Sequence, residues 1–286
     1  MKLNKNANTN ILIVGLGLLG GSYAMALKKK GYHVEAITRS QSSIDYALEH
    51  KLIDAGSVKV EPEMVAKADL TVFALYPHIF MDWLKEYQQL FRPGAVLTDV
   101  TGVKGSVVYE IQAMLRDDVE FIAAHPMAGK EVYGVENADD RIFEGANYIV
   151  VPTEKNTDAA IELCEELGWE LGFRSVSRLS PEEHDEMIAY LSQLTHCIAV
   201  TLMCCHDNEN LVAYTGDSFR DLTRIAKIND AMWSELFMMN KPALLAQMDL
   251  FIEKFQKMRN DLDAGNVDEM RKMMQLSTQR RKFFDK

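Results

Sequence analysis

The feature that most constrains the fold is a glycine motif lying between a predicted strand and a predicted helix. The strand is Ile11–Val14, and Gly15, Gly17 and Gly20 follow it directly. With this spacing the first glycine makes a tight turn, the second lets the backbone approach a pyrophosphate, and the third permits close helix packing. The N-terminus of the following helix then offers free N–H groups to the anion. The motif therefore predicts a βαβ unit that binds a dinucleotide.

Short β-branched runs alternate with amphipathic stretches through the first 178 residues, which is the pattern of parallel βαβ units. We predict an α/β fold in which residues 1–178 form a Rossmann-type, doubly wound sheet that binds the dinucleotide. The predicted strands are Ile11–Val14, Val34–Ile37, Leu70–Ala74, Ala95–Thr98, Glu120–Ala124, Asn147–Val151 and Arg174–Val176.

The second part of the chain changes to a helical pattern. Ser180 is a predicted N-cap, with Pro181 at the first helical position and Glu183 as its capping-box partner. Beyond them only one proline, Pro242, occurs, and the sequence contains no β-rich run. Apolar residues recur at helical spacing in numbers too large for one thin layer. We therefore predict that residues 179–286 form an all-α domain through which the chain forms a homodimer.

The composition limits the possible binding partners and the cellular compartment of the protein. The 286-residue chain has a net charge of −11, which argues against nucleic acid as a partner because phosphate binding needs clustered Lys and Arg. The uncharged segment Asn6–Leu27 resembles a secretory signal, but its four glycines disfavour a helical hydrophobic region. We predict neither a targeting signal nor a membrane span. The cysteines lack CxxC and zinc-site spacing, which predicts buried thiols, no metal and a cytoplasmic location: Cys164, Cys197, Cys204 and Cys205.

Cofactor selectivity depends on the tip of the second strand. NAD-binding domains place an acidic residue there, about 20 positions after the glycines, where it accepts both ribose hydroxyls. Here Thr38, Arg39 and Ser40 occupy that place, and no acid follows until Asp45. Because a guanidinium binds a 2′-phosphate well, we predict NADP as the favoured cofactor, while the two hydroxyl residues leave NAD use open. The predicted cofactor-binding residues are Gly15, Gly17, Leu18, Leu19, Gly20, Thr38, Arg39 and Ser40.

Two polar clusters follow the fourth and fifth predicted strands, where the carboxyl ends of strands face a ligand crevice. The first runs from Asp99 to Lys104, and Lys104 taken alone is expected at the surface. The second begins at His125, whose position at a strand end, before Pro126, places the imidazole at the rim of the crevice. A site that oxidises a hydroxyl needs a base whose pKa lies near the working pH, and we predict that His125 is that base.

A third cluster lies in the helical part. Asp185 opens a helix, and His196 follows it 11 residues later, about three turns on and nearly on the same face. Arg220 and Arg224 lie one turn apart and are placed to present a cationic face to carboxylates. A helix stabilised by i,i+4 salt bridges is the alternative interpretation of that spacing.

Together these motifs resemble the prephenate dehydrogenase family of tyrosine biosynthesis, which includes arogenate and cyclohexadienyl dehydrogenases. The resemblance covers nearly the whole chain, from Ile11 to Phe284. It rests on GLGLLGGS from Gly15, DVTGVK from Asp99, HPMAGKE from His125, SPEEHD from Ser180 and RDLTRIA from Arg220. It implies an NAD(P)-dependent oxidative decarboxylation of prephenate to 4-hydroxyphenylpyruvate, with prephenate or arogenate as the small-molecule substrate.

The same resemblance implies roles for individual residues. His125 would be the catalytic histidine, and Arg224 would bind a substrate carboxylate. The side chains of Glu131 and Asp185 would belong to a polar network that orients and gates the site. One position departs from the family, which commonly has Ser where Gly102 stands. Either Thr101 takes over the contact of that Ser with the histidine and the substrate, or the contact is lost. The implied substrate residues are His196, Arg224, Trp233, Thr101, Glu131 and Asp185.

Several alternatives stay open on the sequence. Prephenate and arogenate differ only at a keto or amino group, and no residue that distinguishes them is identified. A β-hydroxyacid dehydrogenase would share the glycine loop and the helical domain, but it needs a lysine on the helix from Pro181, and no Lys or Arg occurs there before Arg220. A non-enzymatic NADP-binding sensor is disfavoured by His125 and Arg224. Because the helical pattern runs to Lys286, we expect no separate allosteric tyrosine site.

Overall fold

A six-stranded parallel sheet is the centre of the structure, a computed structural model that describes residues 9–285. Its strands are β1 (Asn10–Val14), β2 (His33–Ile37), β3 (Ala55–Ser57), β4 (Leu70–Phe73), β5 (Val96–Asp99) and β6 (Glu120–Phe121). They lie in the order β3-β2-β1-β4-β5-β6, so the order reverses between β1 and β4. In a doubly wound sheet the ligand crevice opens at this reversal, outside the carboxyl ends of the strands. The predicted Rossmann-type sheet is therefore confirmed.

A second, smaller sheet follows, and here the structure differs from the prediction. Its strands are β7 (Ala123–Pro126), β8 (Asn147–Val151) and β9 (Ser175–Arg178). Strand β7 runs antiparallel to β8, whereas β8 and β9 are parallel. The single strand predicted over Glu120–Ala124 is wrong, because the chain leaves the first sheet after Phe121 and enters the second at Ala123. The short β3 escaped prediction because it contains only Ala, Gly and Ser, which have no β preference.

Helices alternate with the strands and make up the described chain after β9. The helices of the first part are α1 (Leu18–Lys29), α2 (Gln41–Glu49), α3 (Pro62–Ala66), α4 (Pro77–Tyr87), α5 (Gly105–Met114) and α6 (Asp158–Leu171). Those that follow are α7 (Pro181–Ile188), α8 (Leu194–Met203), α9 (Asp217–Thr223), α10 (Asp230–Met239), α11 (Lys241–Asp263) and α12 (Val267–Arg281). The all-α character of the second part is thus confirmed as far as residue 285. No helix in the described range is long and apolar enough to cross a membrane.

The predicted start of the helical part is confirmed in detail. The Oγ of Ser180 accepts the backbone N–H of Glu183 at 3.2 Å, and the Glu183 carboxylate accepts the N–H of Ser180 at 2.8 Å. Pro181 occupies the first helical position of α7. This capping box fixes the direction of α7. A π turn, Ala189–Gln193, then connects α7 to α8.

Two apolar clusters fill the two faces of the first sheet. Ile11 and Ile13 of β1 belong to the cluster formed with α1, α2 and α6, whereas Leu12 and Val14 belong to the cluster formed with α4 and α5. Neighbouring strand residues point to opposite faces, so a strand buried on both faces is apolar throughout. Leu236 of α10 joins the second cluster. The helical part is therefore packed directly against the core of the sheet.

The two longest helices leave apolar side chains at the surface. Only Leu244 and Asp261 of α11 are buried, and no residue of α12 is. An apolar surface of this kind is typical of a contact between subunits. The exposed apolar side chains of α11 are Leu245, Leu250, Phe251, Ile252, Phe255 and Leu262.

The thiols are only partly buried, contrary to the prediction. Cys164 is buried, and burial raises the pKa of its thiol to about 12. Cys204 and Cys205 are exposed. They lie in the turn that ends α8, beyond the apolar residues with which that helix packs against the core.

The glycines of the turn after β1 have different local constraints. Gly15 has φ +101°, a conformation that favours glycine, and a Cβ there would lie 2.4 Å from the carbonyl oxygen of Ala74. A Cβ on Gly20 would lie 1.9 Å from the carbonyl oxygen of Gly15, so only glycine lets α1 begin this close to the turn. A Cβ on Gly17 would have no described atom within 4 Å.

We expect Gly20→Ala to lower the free energy of unfolding by roughly 1–3 kcal/mol or more, because the added methyl group forces α1 away from the turn. Gly17→Ala is the matched control, since its methyl group enters open space; its cost should stay below about 1 kcal/mol. Urea denaturation followed by circular dichroism measures both. Equal stability of the two variants would contradict the packing role of Gly20.

Candidate active site

The glycine turn lies at the carboxyl ends of β1 and β2. The N–H of Gly15 donates to the carbonyl oxygen of Ile37 at 2.8 Å, which ties the turn to the end of β2. Helix α1 begins directly after Gly17 without a side-chain cap and without an acidic residue in its first turn. Free first-turn N–H groups and the open space beside Gly17 fit the pyrophosphate of a dinucleotide. These N–H groups belong to Leu18, Leu19 and Gly20.

The three residues after β2 differ in their availability to a cofactor. The hydroxyl of Ser40 caps α2 by accepting the N–H of Ser43 at 3.2 Å, and the N–H of Thr38 donates to Ser57 at 3.1 Å. Arg39 is exposed, and no salt bridge within residues 9–285 involves it. Its guanidinium is therefore free to bind an anion beside the glycine turn.

A fully buried ion pair joins β5 to the turn that follows it. The Nζ of Lys104 lies 2.6 Å from Oδ2 of Asp99, and neither side chain is accessible to solvent. The expectation that Lys104 lies at the surface is wrong, because the buried carboxylate of Asp99 requires a counter-charge and the turn brings Nζ to it. Burial lowers the pKa of the Lys104 amine, and the charge of Asp99 opposes that shift.

This ion pair holds the peptide groups next to His125. Oδ1 of Asp99 accepts the N–H of Ala124 at 3.1 Å, and Nζ of Lys104 donates to the carbonyl oxygen of Ala124 at 2.7 Å. Both backbone polar groups of the residue before His125 are thereby fixed. The buried pair therefore determines where β7 presents the histidine.

A chain of hydrogen bonds leads from His125 into the helical part. Nδ1 of His125 lies 2.9 Å from Nε2 of His184, and Nδ1 of His184 lies 2.8 Å from Oδ1 of Asp185. The Asp185 carboxylate also accepts the backbone N–H groups of Lys104 and Gly105, each at 2.8 Å. Asp185 thus connects α7 both to the histidines and to the start of α5.

This chain assigns the tautomers of both rings. A carboxylate only accepts, so His184 carries its proton on Nδ1 and, as a neutral ring, accepts at Nε2. His125 then donates from Nδ1, which leaves its Nε2 unprotonated. That nitrogen lies beside the turn after β5, since a Cβ on Gly102 would be 3.9 Å from it. His125 is partly exposed and presents a proton-accepting nitrogen at this point.

The electrostatic surroundings keep His125 neutral. Burial lowers the pKa of His125 well below its ordinary value, and the positive charge of Lys104, together with that of His184 once it is protonated, lowers it further. A neutral imidazole is the form that a general base requires. His125 is thus in its basic form at neutral pH.

The hydroxyl of Thr101 belongs to the buried ion pair. It bonds to the Asp99 carboxylate and lies 3.2 Å from Nζ of Lys104, and the residue is buried. The residue beside Nε2 of His125 is Gly102. Of the two alternatives for the missing serine, this geometry favours loss of the contact over its replacement by Thr101.

Four of the other predicted residues form a second group. The His196 ring stacks on Trp233 with their centroids 3.8 Å apart, and Arg224 forms a salt bridge to Glu131 at 2.5 Å. Burial lowers the pKa of His196. The charge of Arg224 lowers that pKa further, and the charge of Glu131 raises it. The structure therefore brings an aromatic wall and a cation together. Arg220 instead points to Asp217, 3.5 Å away.

Helix α10 connects this group to His125. Trp233 and Leu236 lie three residues apart and so share a face of the helix. Trp233 stacks on His196, while a side-chain methyl of Leu236 lies 3.6 Å from the Cβ position of Gly102. The two groups therefore border one region between the strand ends and the helical part.

The prediction that Asp185 and His196 lie nearly on the same helix face assumed a regular α-helix between them, and that assumption does not hold. The π turn between α7 and α8 alters the rotation of the helix, so a count of 3.6 residues per turn does not carry across it. Asn240 donates to the backbone oxygen of Asp185 and to the side-chain oxygen of Gln193, each at 2.8 Å. These bonds stabilise the irregular turn beside the site.

Two residues of the site have roles that sequence reasoning missed, His184 and Lys104. Both are fully buried and both bond to carboxylates. The available signal for His184 was its place directly before Asp185, in the first turns of a helix whose start was already predicted. For Lys104 the local signal was Asp99 and Thr101 in the same cluster, whereas the third acceptor of its ammonium, the carbonyl oxygen of Ala124, comes from a distant segment.

The arrangement combines a cradle for a dinucleotide with a neutral histidine base and a nearby arginine. A base removes the proton of a hydroxyl while the cofactor, when bound, accepts the hydride from the same carbon. Such a site defines an NAD(P)-dependent oxidoreductase, and the chain is a member of that class of enzyme.

Comparisons with known proteins give the family. The profile described as prephenate dehydrogenase, nucleotide-binding domain, matches residues 23–177, and the profile described as prephenate dehydrogenase, dimerization domain, matches residues 180–276. The prephenate dehydrogenase of Bacillus subtilis (strain 168) is 31% identical over 91% of this chain and 72% of that protein. The cyclohexadienyl dehydrogenase of Zymomonas mobilis is 27% identical over 91% of this chain and 90% of that protein. The chain belongs to the prephenate dehydrogenase family.

A solved structure shows the same architecture. The prephenate dehydrogenase from A. aeolicus, in complex with hydroxyphenyl propionate and NAD+, has a TM-score of 0.88 and 28% identity with this chain. The match covers 97% of this chain and 98% of that one. The family resemblance drawn from the five sequence motifs is thereby confirmed.

We expect Lys104→Met to lower the free energy of unfolding by about 3–5 kcal/mol, because it leaves the Asp99 carboxylate buried without its counter-charge. Lys85→Met is the matched control. Lys85 lies 3.4 Å from Asp82 with both side chains exposed, so its loss should cost less than about 1 kcal/mol. Denaturant titration of both variants measures the difference, and similar losses would contradict the structural role of the buried pair.

Proposed function

We propose that the protein oxidises prephenate to 4-hydroxyphenylpyruvate, with loss of CO2 and transfer of a hydride to NAD(P). Membership of the prephenate dehydrogenase family supports this reaction. The observation that carries it is the 2.9 Å contact between Nδ1 of His125 and Nε2 of His184, from which we assign Nε2 of His125 as a free proton acceptor. The nicotinamide cofactor supplies the hydride acceptor when it is bound at the glycine turn.

In this proposal His125 accepts the proton of the ring hydroxyl at Nε2. The ketone that forms at that ring carbon withdraws electrons from the bond to the carboxylate on the opposite carbon, so CO2 leaves and the ring becomes aromatic. The Asp99–Lys104 pair holds the histidine in place through Ala124. Thr101 supports the same pair, and Asp185 acts through His184.

Arg224 is the cation proposed to bind a carboxylate of the substrate. Its guanidinium is 65% exposed, and its salt-bridge partner among the described residues is Glu131. A substrate carboxylate can replace Glu131, because guanidinium binds carboxylates through paired N–H bonds. His196 and Trp233 stack beside this position and offer a wall for the ring. Prephenate and arogenate both carry the required carboxylate, and they are compared in the assay below.

The organisation of the molecule is part of the proposal. The dinucleotide-binding domain comprises residues 1–178 and the helical domain residues 179–286. The exposed apolar side chains of α11, together with the match of residues 180–276 to a dimerization domain, support a homodimer formed through the C-terminal helices. The net charge of −11 supports a small-molecule substrate over nucleic acid. We propose a cytoplasmic location because the cysteines lack CxxC and zinc-site spacing.

Turnover of prephenate, followed by the absorbance of the reduced nicotinamide, tests the function, with arogenate assayed in parallel. We expect His125→Asn to lower kcat by on the order of 10²–10⁴-fold, because the general base is lost. The dissociation constant of the cofactor should not change. His206→Asn alters an exposed histidine and should keep wild-type turnover. A His125→Asn enzyme with near-normal kcat would exclude His125 as the base.

The pH profile gives a second measure of the same role. The base must be neutral, so kcat/KM should fall as the pH drops through the pKa of the buried histidines. Because burial lowers the pKa of His125, this fall should occur below the ordinary histidine value of about 6.5. A profile that is flat through the acidic range contradicts a histidine base.

We also propose NADP as the favoured cofactor. The tip of β2 lacks the carboxylate that would accept the ribose hydroxyls and repel a 2′-phosphate. The exposed Arg39 stands there without a salt bridge among residues 9–285. The hydroxyl of Ser40 already caps α2, which leaves the guanidinium as the group best placed to bind the cofactor.

We expect Arg39→Ala to lower kcat/KM for NADP by on the order of tenfold while leaving that for NAD nearly unchanged, since charge-assisted bonds contribute about 1.5–3 kcal/mol each. Arg174→Ala, at another exposed arginine, is the control. Equal or better use of NAD by the wild-type enzyme, or an unchanged NADP/NAD ratio in Arg39→Ala, would show that Arg39 does not select the cofactor.

A further inference from the structure

The hydrogen-bond chain behind His125 ends on a carboxylate. His184 lies between the two, with 2.9 Å from its Nε2 to His125 and 2.8 Å from its Nδ1 to Asp185. The His184 side chain has no access to solvent, so a proton reaches it along one of these two bonds. Both of its nitrogens are therefore engaged in bonds along which a proton can move.

The two rings differ in the charges that face them. His184 bonds directly to the Asp185 carboxylate, whereas the groups acting on His125 are the other ring and the Lys104 ammonium. Lys104 acts on both rings, and its own charge is paired with Asp99. Among residues 9–285, three charged groups act on the two rings: Asp99 at the end of β5, Lys104 in the turn after it, and Asp185 beside His184 on α7.

The stabilisation of a positive charge follows from these contacts. Burial lowers the pKa of His184, but the hydrogen bond and the charge of Asp185 oppose that shift. Burial lowers the pKa of His125 well below its ordinary value, and neighbouring positive charges add to the shift. A proton shared by the pair is therefore more stable on the ring beside the carboxylate.

We propose that His184 receives the proton that leaves the substrate, so that His125 acts as a relay and His184 as the group that holds the charge. As the ring hydroxyl gives its proton to Nε2 of His125, the proton on Nδ1 of His125 passes to Nε2 of His184. His125 ends neutral, with its proton on Nε2, and His184 ends as an imidazolium bonded to Asp185. This inference rests on the proposed function for its substrate, but the order of protonation of the two rings does not depend on it.

In this relay His184 both orients His125 and stores the proton. A substitution can keep the first role and remove the second. In His184→Gln the side-chain oxygen can still accept the Nδ1–H of His125, while an amide takes up no proton in this pH range. We expect KM for prephenate to stay within about threefold, and kcat to fall by on the order of tenfold or more. The acidic limb of kcat/KM should move to lower pH, because the less basic ring remains. His206→Gln is the control at an exposed histidine.

A spectroscopic measurement on the unaltered protein covers the case in which the variant does not fold. Nitrogen-15 NMR of histidine-labelled wild-type protein, titrated to acidic pH without substrate, reports the tautomer and protonation of each ring. We expect neutral His184 to carry its proton on Nδ1, neutral His125 to carry its proton on Nδ1, and His184 to become an imidazolium first.

Two results would overturn the relay. One is protonation of His125 before His184 in the titration. The other is a folded His184→Gln enzyme with wild-type kcat and an unmoved acidic limb, which would leave His184 with orientation alone. Failure of the proposed function is distinguishable, because it would appear as absence of prephenate turnover in the wild-type enzyme whatever the order of protonation.

Discussion

The buried ion pair between Asp99 and Lys104 is the interaction on which the site depends. Two charges without access to water are stable together only when every remaining lone pair and proton is bonded. That condition is met here: the three protons of the ammonium face Asp99, Thr101 and the carbonyl oxygen of Ala124. The carboxylate in turn accepts the N–H groups of Thr101 and Ala124. A pair bonded in so many directions fixes the end of β5 and the start of β7 as one unit.

The same region joins the sheet to the helical part. Helix α5 begins at Gly105, and its first N–H groups are capped by the Asp185 carboxylate, which belongs to α7. A carboxylate at a helix N-terminus is stabilised by the free N–H groups and the helix dipole. Because the other bond of this carboxylate goes to His184, the residue that packs the helical part onto α5 also sets the tautomer of the histidines. Disruption of that cap would therefore disturb both the histidine pair and the packing of the helical part on α5.

The parts of this arrangement that the sequence predicts are those encoded by neighbouring residues. The glycine turn and the capping box of Ser180 and Glu183 each depend on a few consecutive positions, so their geometry could be derived before the structure. The division of Glu120–Ala124 between two sheets could not, because it depends on which distant strands are available as partners. Lys104 was misplaced because its burial also requires a distant acceptor: Asp99 and Thr101 lie within five residues, but the third proton goes to the carbonyl oxygen of Ala124, 20 positions away. The family motifs single out His125 and Arg224 as candidate site residues, but the bond from His125 to His184 is a contact across 59 positions that no local pattern describes.

The glycine beside Nε2 of His125 explains why the hydrogen bond on the other edge of that ring matters. A hydroxyl side chain at Gly102 would stand next to Nε2 of His125 and could take part in orienting the substrate and the ring. Gly102 offers no such group, and the hydroxyl of Thr101 is already bonded to Asp99. The orientation of the ring and the choice of its tautomer must then come from the opposite edge, where Nδ1 meets His184. Among the described residues, the polar contacts that orient His125 therefore lie on its buried side, with His184, Asp185 and the Asp99–Lys104 pair.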